Sequence, residues 1–339
     1  MSLPLFVLPA SSQAARLGPQ SVVLSLGMGI DSVALLVRWL LDPSSRDFDL
    51  DDLVVVTAMT GDEHDYTREQ MEEYVLPLMR EHGVRYVQIS RTGQRKSSGY
   101  TVLSDSRTTE TMVMRGPWWL SFELRTGATM PSIRRQRRWC SERAKGDPLD
   151  WWVNDNLLPG YTHVVGFAAE ELDRADRDTH ARRSKAAAGT TVPCRVEYPL
   201  LAWGMDRAAC AAYLKDVFKI DFRRSCCTFC PFQATAGSRV ELLARWTEYP
   251  EACADTLELE YTALAVNPRC GAFGSGETAI DLARRHSLSG LGLARERLAR
   301  VEVWDVLSVR RVFDQADQPA ARERHGDLSK SRNPVPART

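Results

Sequence analysis

The chain has no long apolar run. In 339 residues no stretch approaches the ~20 consecutive apolar side chains of a membrane-spanning helix, so a span is not expected. It has no excess of either charge. Forty-four Lys and Arg stand against 44 Asp and Glu. That balance argues against a protein that coats a polyanion by bulk charge, though not against a local basic groove. Residues 1–12 carry an apolar stretch but no basic residue, so the front of a secretory leader is missing. Cysteine is sparse for a disulfide-stapled secreted domain. There are eight, and three of them fall in Cys226-Cys227-x-x-Cys230, which reads as a metal or redox site in a reducing, cytoplasmic compartment. No internal repeat is evident. What remains is an ordinary soluble composition, 44% hydrophobic and 26% charged, with chain enough for one large domain or two small ones.

Strand-length apolar runs alternate with amphipathic stretches. Residues 21–26 (SVVLSL) form a continuous apolar run, the pattern of a strand buried on both faces. It stops at Gly27 and Gly29, and Asp31-Ser32 then opens an apolar helix. Residues 52–59 read as a second strand, 66–82 as an amphipathic helix, 84–90 as a third strand and 161–168 as a fourth. This alternation predicts an α/β fold with a parallel, doubly wound sheet. Residues 1–20 read as an irregular arm, 21–203 as the α/β domain, and 204–314 as a helical C-terminal region carrying the cysteine cluster. Residues 91–137 read as loops and short helices. Residues 315–339 hold too few apolar side chains to bury and are expected to be a disordered tail.

The sharpest local feature is Ser25-Leu26-Gly27-Met28-Gly29-Ile30-Asp31-Ser32, between a strand and a helix. Two glycines let backbone N–H groups approach an anion, and the helix mouth adds unpaired N–H groups and a positive dipole end. The Walker pattern is excluded because no Lys follows, and the dinucleotide pattern because Ser32 stands where a third Gly or Ala belongs. A plain glycine turn is the other reading of such a pair. The Asp-Ser ending resembles the PP-loop of the ATP pyrophosphatases, usually Ser-Gly-Gly-x-Asp-Ser/Thr. Gly27 replaces the usual Ser and Met28 the first Gly. The variant is similar to the branch of phosphoadenosine-phosphosulfate (PAPS) reductase-like proteins.

Further segments carry the same resemblance, over residues 20–232. Thr57-Ala58-Met59-Thr60-Gly61-Asp62-Glu63 resembles a strand-end segment of the form Asp-Thr-Gly-x-Glu, with Met59 for the Asp. The resemblance implies that Thr57, Ala58 and Met59 lie where adenine and ribose bind. Gly166 to Arg174 resembles Gly-Ile-x-x-x-Glu-x-x-Arg, which implies nucleotide contacts at Gly166, Glu171 and Arg174. Glu171 and Arg174 also fit a solvated helix face. Arg138-Trp139-Cys140-Ser141-x-x-x-Lys145-x-x-Pro148 resembles Arg-x-Cys-Thr-x-x-x-Lys-x-x-Pro closely. It sits in a basic run, 133–145, able to collect phosphates of a nucleotide or a polynucleotide, and Trp118, Trp119 and Trp139 can stack on bases. A basic exposed turn with Trp in the core is the alternative.

Ser225-Cys226-Cys227-Thr228-Phe229-Cys230-Pro231-Phe232 fits the branch's Ser-x-Cys-x-x-Cys-Pro-Phe segment. Cys227 and Cys230 form a Cys-x-x-Cys turn whose thiolates can reach one metal centre. No second Cys/His pair is near, as structural zinc would need. With Cys140, the set suggests three thiolates on a [4Fe–4S] cluster with one iron open, zinc being the alternative metal. Cys226, Cys194 and Cys270 are candidate fourth ligands, and a turn with inert buried thiols is the plain reading. Cys210 and Cys253 sit in apolar helical patterns and read as core.

The resemblance implies a HUP-type, adenine nucleotide alpha hydrolase-like fold that binds ATP and Mg²⁺ on residues 25–32. It implies adenylation of an acceptor with pyrophosphate release, then sulfur insertion. Asp31 is the candidate metal or loop-ordering carboxylate, with Ser32, Lys145 and Arg138 beside the phosphates. The favoured acceptor is nucleic acid, tRNA or DNA, with sulfur from a donor such as a cysteine desulfurase. The alternatives are a PAPS or adenosine-phosphosulfate reductase, an amidating ligase, and a non-catalytic nucleotide-binding subunit of a modification or defence complex. A reductase of this kind carries a C-terminal Glu-Cys-Gly segment. Here the Cys-Gly pair is Cys270-Gly271, preceded by Arg269 and far from the end.

Overall fold

The computed structural model describes residues 16–131, 138–234, 239–267, 270–271, 273 and 277–300. Most of the expected arm, residues 133–137 of the basic run and the whole expected tail lie outside the described residues.

Among the described residues six strands form one sheet: β1 (Val22–Ser25), β2 (Leu53–Ala58), β3 (Arg85–Arg91), β4 (Tyr100–Ser106), β5 (Thr162–Val165) and β6 (Arg195–Glu197). Their order is β4-β3-β2-β1-β5-β6, and every pairing is parallel except β3 with β4. The helices among the described residues are α1 (Ile30–Leu41), α2 (Asp65–Gln70), α3 (Leu76–Glu81), α4 (Leu120–Thr126), α5 (Trp139–Ser141), α6 (Asp147–Asn156) and α7 (Leu172–Ala187). After them come α8 (Pro199–Ala202), α9 (Arg207–Phe218), α10 (Arg239–Glu248), α11 (Pro250–Val266), α12 (Ala279–Arg285) and α13 (Gly290–Arg300). None is long and apolar enough to cross a membrane.

β1 and β2, at the middle of the sheet, are largely apolar because both of their faces are covered. Val22, Leu24, Leu53, Val55 and Val164 point into a core shared with α1, α3 and α9. Val23, Val54, Val56, Val87 and Tyr161 point the other way, onto Trp152 and Val153 of α6. Each buried aliphatic side chain contributes roughly 1.5–3 kcal/mol, which is why a four-residue strand such as β1 holds its place. A third core lies apart from the sheet. It joins α4 to α10–α13, and Cys140 and Cys227 pack against its edge.

The structure differs from the sequence pattern in particular places. Tyr100–Ser106, in a stretch expected to be irregular, is an edge strand with one neighbour and largely half-exposed side chains, so its polar sequence gives no buried-run signal. The helix expected over 66–82 is α2 and α3 joined by a wide π turn at Met71–Val75. Pro77 explains it: proline lacks an N–H and its ring strikes the carbonyl four residues back, so the preceding turn opens. Pro148 follows a second π turn, Glu142–Gly146, between α5 and α6. Helix α9 lies beyond the expected boundary at 203, yet Cys210, Leu214 and the following Phe222 belong to the same core as α1. Cys210 and Cys253 are both buried, as expected.

The chain reverses its winding between β1 and β5, which leaves a crevice at their carboxyl ends. Gly166, just past β5, lets that end lie against the start of α1. A Cβ there would stand 2.7 Å from Ser32 Cα and 3.0 Å from Ser32 N. Gly166→Ala is therefore expected to destabilise the protein by about 1–3 kcal/mol, read as a lower melting temperature. Gly146→Ala, at a helical φ of −65° with nothing within 4 Å, is the contrasting variant and should stabilise by about 0.5–1 kcal/mol.

Candidate functional site

The loop at the end of β1 is held from within. The Gly27 N–H donates to Ser32 Oγ at 3.2 Å, and that hydroxyl donates to the Gly29 carbonyl at 3.2 Å. Leu26 N–H still pairs with Val56 O at 2.9 Å, so the turn begins abruptly at Gly27. Met28 adopts a left-handed φ of 58°, where glycine is the usual occupant. Its side chain is 1% exposed, in the core beneath α1. Burial offsets the roughly 1–2 kcal/mol that the left-handed backbone costs.

Asp31 lies in the first turn of α1, where the helix dipole favours an anion. Its Oδ2 accepts from Arg207 Nη2 at 3.2 Å, while its Oδ1 is buried without a partner. Burial raises the Asp31 carboxyl above its ordinary value, and Arg207 opposes this only in part. Arg207 also donates to Glu171 Oε1 at 3.2 Å, and its backbone N–H reaches the Glu170 carboxylate. Glu171 is bonded by Arg174, whose guanidinium lies 4.6 Å over the Phe167 ring. The predicted residues Asp31, Ser32, Gly166, Glu171 and Arg174 thus share one side of the crevice.

Thr57, Ala58 and Met59 sit beneath the site. Thr57 spends its hydroxyl on Leu26 O at 2.9 Å and accepts from Tyr86 at 2.9 Å, while Ala58 and Met59 are buried.

The cysteine turn docks directly on this loop. Ser225 Oγ donates to Gly27 O at 2.9 Å. Glu63 and Cys227 form an antiparallel bridge, with His64 N–H to Cys226 O at 3.2 Å and Thr228 N–H to Asp62 O at 2.9 Å. Adjacent residues of the extended segment part company. Cys227 Sγ bonds Thr60 Oγ1 at 3.5 Å, whereas Cys226 Sγ accepts from Arg245 Nη1 at 3.1 Å and lies 3.6 Å from Tyr66 Oη. Lys145 donates to Glu63 Oε1 at 2.8 Å. Burial would lower the Lys145 ammonium, but Glu63 and then Cys227 turn the shift upward.

Cys140 and Cys226 both interact electrostatically with Cys230, and Arg138, exposed and stacked 5.0 Å over Phe232, lies near Cys230 as well. Burial pushes Cys230 up to about 12 and Cys227 well above the ordinary thiol value. Among the described residues no three His, Cys, Asp or Glu side chains converge as a ligand group. Cys194 lies elsewhere, beside Tyr161, and Cys270 packs on the third core.

Sequence reasoning gave no role to Arg207, Arg245 or His163. Each is a single residue whose partners come from distant parts of the chain, so no local spacing marks it. An open groove of about 530 Å³ lies at the opposite, amino-terminal end of the sheet, lined in part by Val22, Asp49, Thr162 and Arg195. It contains none of these residues. Compared with family models, with curated proteins and with solved structures, the chain matches none.

The buried pair is asymmetric. The Glu63 side chain is 1% exposed and that of Lys145 is 29% exposed. Lys145→Met strands a buried carboxylate and is expected to cost about 3–5 kcal/mol. Glu63→Gln leaves a lysine able to reach water and should cost clearly less. Chemical denaturation of the two variants checks the order.

Proposed function

We propose that this chain is an ATP pyrophosphatase of the PP-loop, HUP-type class, in its PAPS reductase-like branch, acting in the cytoplasm in sulfur transfer to a nucleic acid. One observation carries the reading: the Ser225–Gly27 hydrogen bond joins a glycine-lined helix mouth to a turn of three cysteines. A triphosphate site and a sulfur-handling site thereby adjoin.

The triphosphate lies against the N–H groups of the Gly27–Ser32 loop and the mouth of α1. An acceptor oxygen attacks the α-phosphorus, the bond between the α-phosphorus and its bridging oxygen to the β-phosphate breaks, and pyrophosphate leaves. The product is an adenylated acceptor. A sulfur nucleophile then forms the new carbon–sulfur bond, and AMP departs with the acceptor oxygen. Backbone N–H groups stabilise the charge that gathers on the α-phosphoryl oxygens. Lys145 and Arg138 supply positive charge on the cysteine side, Lys145 held by Glu63. Asp31, in the first turn of α1, has one unpartnered carboxylate oxygen, a fitting ligand for Mg²⁺, which would screen the phosphates.

Cys140, Cys227 and Cys230 would hold an iron–sulfur cluster. The donor set fits in kind: three half-buried thiols, Cys140 and Cys227 each interacting with Cys230, with Arg138 and Lys145 close enough to offset cluster charge. Their side chains must rotate to converge. When bound, the cluster supplies a site for sulfide. Tyr66 and Arg245 hold Cys226 on the other side of the segment, so it is not counted among the three. The acceptor is tRNA or DNA, and the sulfur donor is a persulfide supplier such as a cysteine desulfurase, together with a thiol reductant whose oxidation to a disulfide releases the outer sulfur as sulfide.

Pyrophosphate release from ATP and Mg²⁺, with bulk tRNA or DNA added, tests the first step. Asp31→Ala should lower it at least about 100-fold with the circular-dichroism spectrum retained. Full activity in that variant, or none in the wild type, overturns the reading. Anaerobic purification should give brown protein containing iron and sulfide, with metal content lost in Cys140→Ser, Cys227→Ser and Cys230→Ser and kept in Cys226→Ser. Stoichiometric zinc in place of iron would replace the cluster with a different cofactor.

A further inference from the structure

Strands β1 and β5 meet at the point where the winding reverses, in the register Val23 with His163 and Ser25 with Val165. Side chains alternate along a strand, so Tyr161 and His163 share the α6 face of the sheet with Val23 and Ser25. Three polar groups line up there. Ser25 Oγ stands 2.9 Å from His163 Nε2, and His163 Nδ1 stands 3.3 Å from Tyr161 Oη. The Tyr161 hydroxyl in turn lies beside the Cys194 thiol. His163 and Tyr161 are each 1% exposed, while Ser25 is half-buried and ends β1 at the crevice. Among the described residues, Ser25 is the member of the relay that opens on the crevice.

We propose that this relay presents the Ser25 hydroxyl as a hydrogen-bond donor to a nucleotide in the crevice, with His163 as its positioning residue. The inference rests on the ATP reading above and adds a specific contact to it. A neutral imidazole has one donor and one acceptor. With Cys194 S–H donating to Tyr161, Tyr161 O–H to Nδ1 and Nε2–H to Ser25 Oγ, every internal proton is spent and the serine proton alone is free. An anionic ligand selects this tautomer over the reverse one, in which the serine proton is consumed by Nε2.

The same three groups have the outline of an activated nucleophile. That role is excluded by the surroundings of the ring. Burial, then the Arg182 charge, hold the His163 imidazole neutral well below its ordinary range. Accepting the serine proton would create a buried cation near the Arg182 charge. The relay fixes direction and does not take the proton. A purely structural role is also a poor account, because burying a His and a Tyr costs free energy that an aliphatic pair would avoid.

Calorimetric titration of the full chain with ATP and magnesium tests the relay. Ser25→Ala should weaken binding about 10-fold or more, and His163→Leu by a similar factor. The double variant should lose no more than either single one, since both act on one contact. Ser25→Thr, which keeps the hydroxyl, should restore binding to within about threefold of the wild type, as expected for a loss that belongs to the hydroxyl. Melting temperatures separate these effects from unfolding, and if His163→Leu does not fold, the Ser25 pair decides alone. Wild-type binding that Ser25→Ala leaves unchanged, or losses that add, overturn the relay while leaving the ATP reading intact. A wild type that binds no ATP overturns both.

Discussion

A short antiparallel bridge between Glu63 and Cys227 is the constraint on which the site depends. It ties the loop after β2 to the cysteine turn that follows α9. Two backbone hydrogen bonds flank it, and the Ser225 hydroxyl extends it to the glycine loop. Backbone groups buried at such a junction must be paired, because each orphan costs about 1–3 kcal/mol. The bridge thus does more than connect two stretches of chain. It fixes the glycine loop, the Glu63–Lys145 pair and the thiols relative to one another, largely through main-chain groups.

The loop itself shows how a departure from a pattern is accommodated. A glycine at position 28 would adopt the left-handed backbone freely. Met28 adopts it at a cost and returns that cost through packing under α1. The loop is consequently anchored by a side chain as well as by its hydrogen bonds. On the opposite wall, Gly166 cannot be exchanged in this way, because the backbone of Ser32 already occupies the space.

Much of the fold was legible because the physics was local. β1, β2, β3 and β5 are buried on both faces, and the Val, Leu, Ile and Tyr side chains that fill them mark them in the sequence, although β3 and β5 also bury Gln88, Ser90 and His163. β4 and β6 were hidden for the complementary reason: both are edge strands with substantial exposure, so polar residues serve them well. In the site, Gly27, Gly29 and Asp31 stood out by spacing, and Cys227 and Cys230 by the turn they form. Arg207, Arg245 and His163 did not, since an arginine at the start or end of a helix or a histidine in a strand carries no signature of the carboxylate, thiol or hydroxyl it will meet. The helical stretch beyond residue 203 read as uniform, yet it is split: α9 completes the first core and α10–α13 build another.

The π turn at Glu142–Gly146 has a further consequence for how this segment can vary. Such a turn is an α-helix holding one surplus residue, and in a helix of 3.6 residues per turn one residue is worth about 100° of rotation. Cys140 precedes that turn and Lys145 lies near its end. A single-residue deletion within the turn would swing the lysine around the axis relative to the cysteine, so length here is as constrained as side-chain identity, even where the individual residues face solvent.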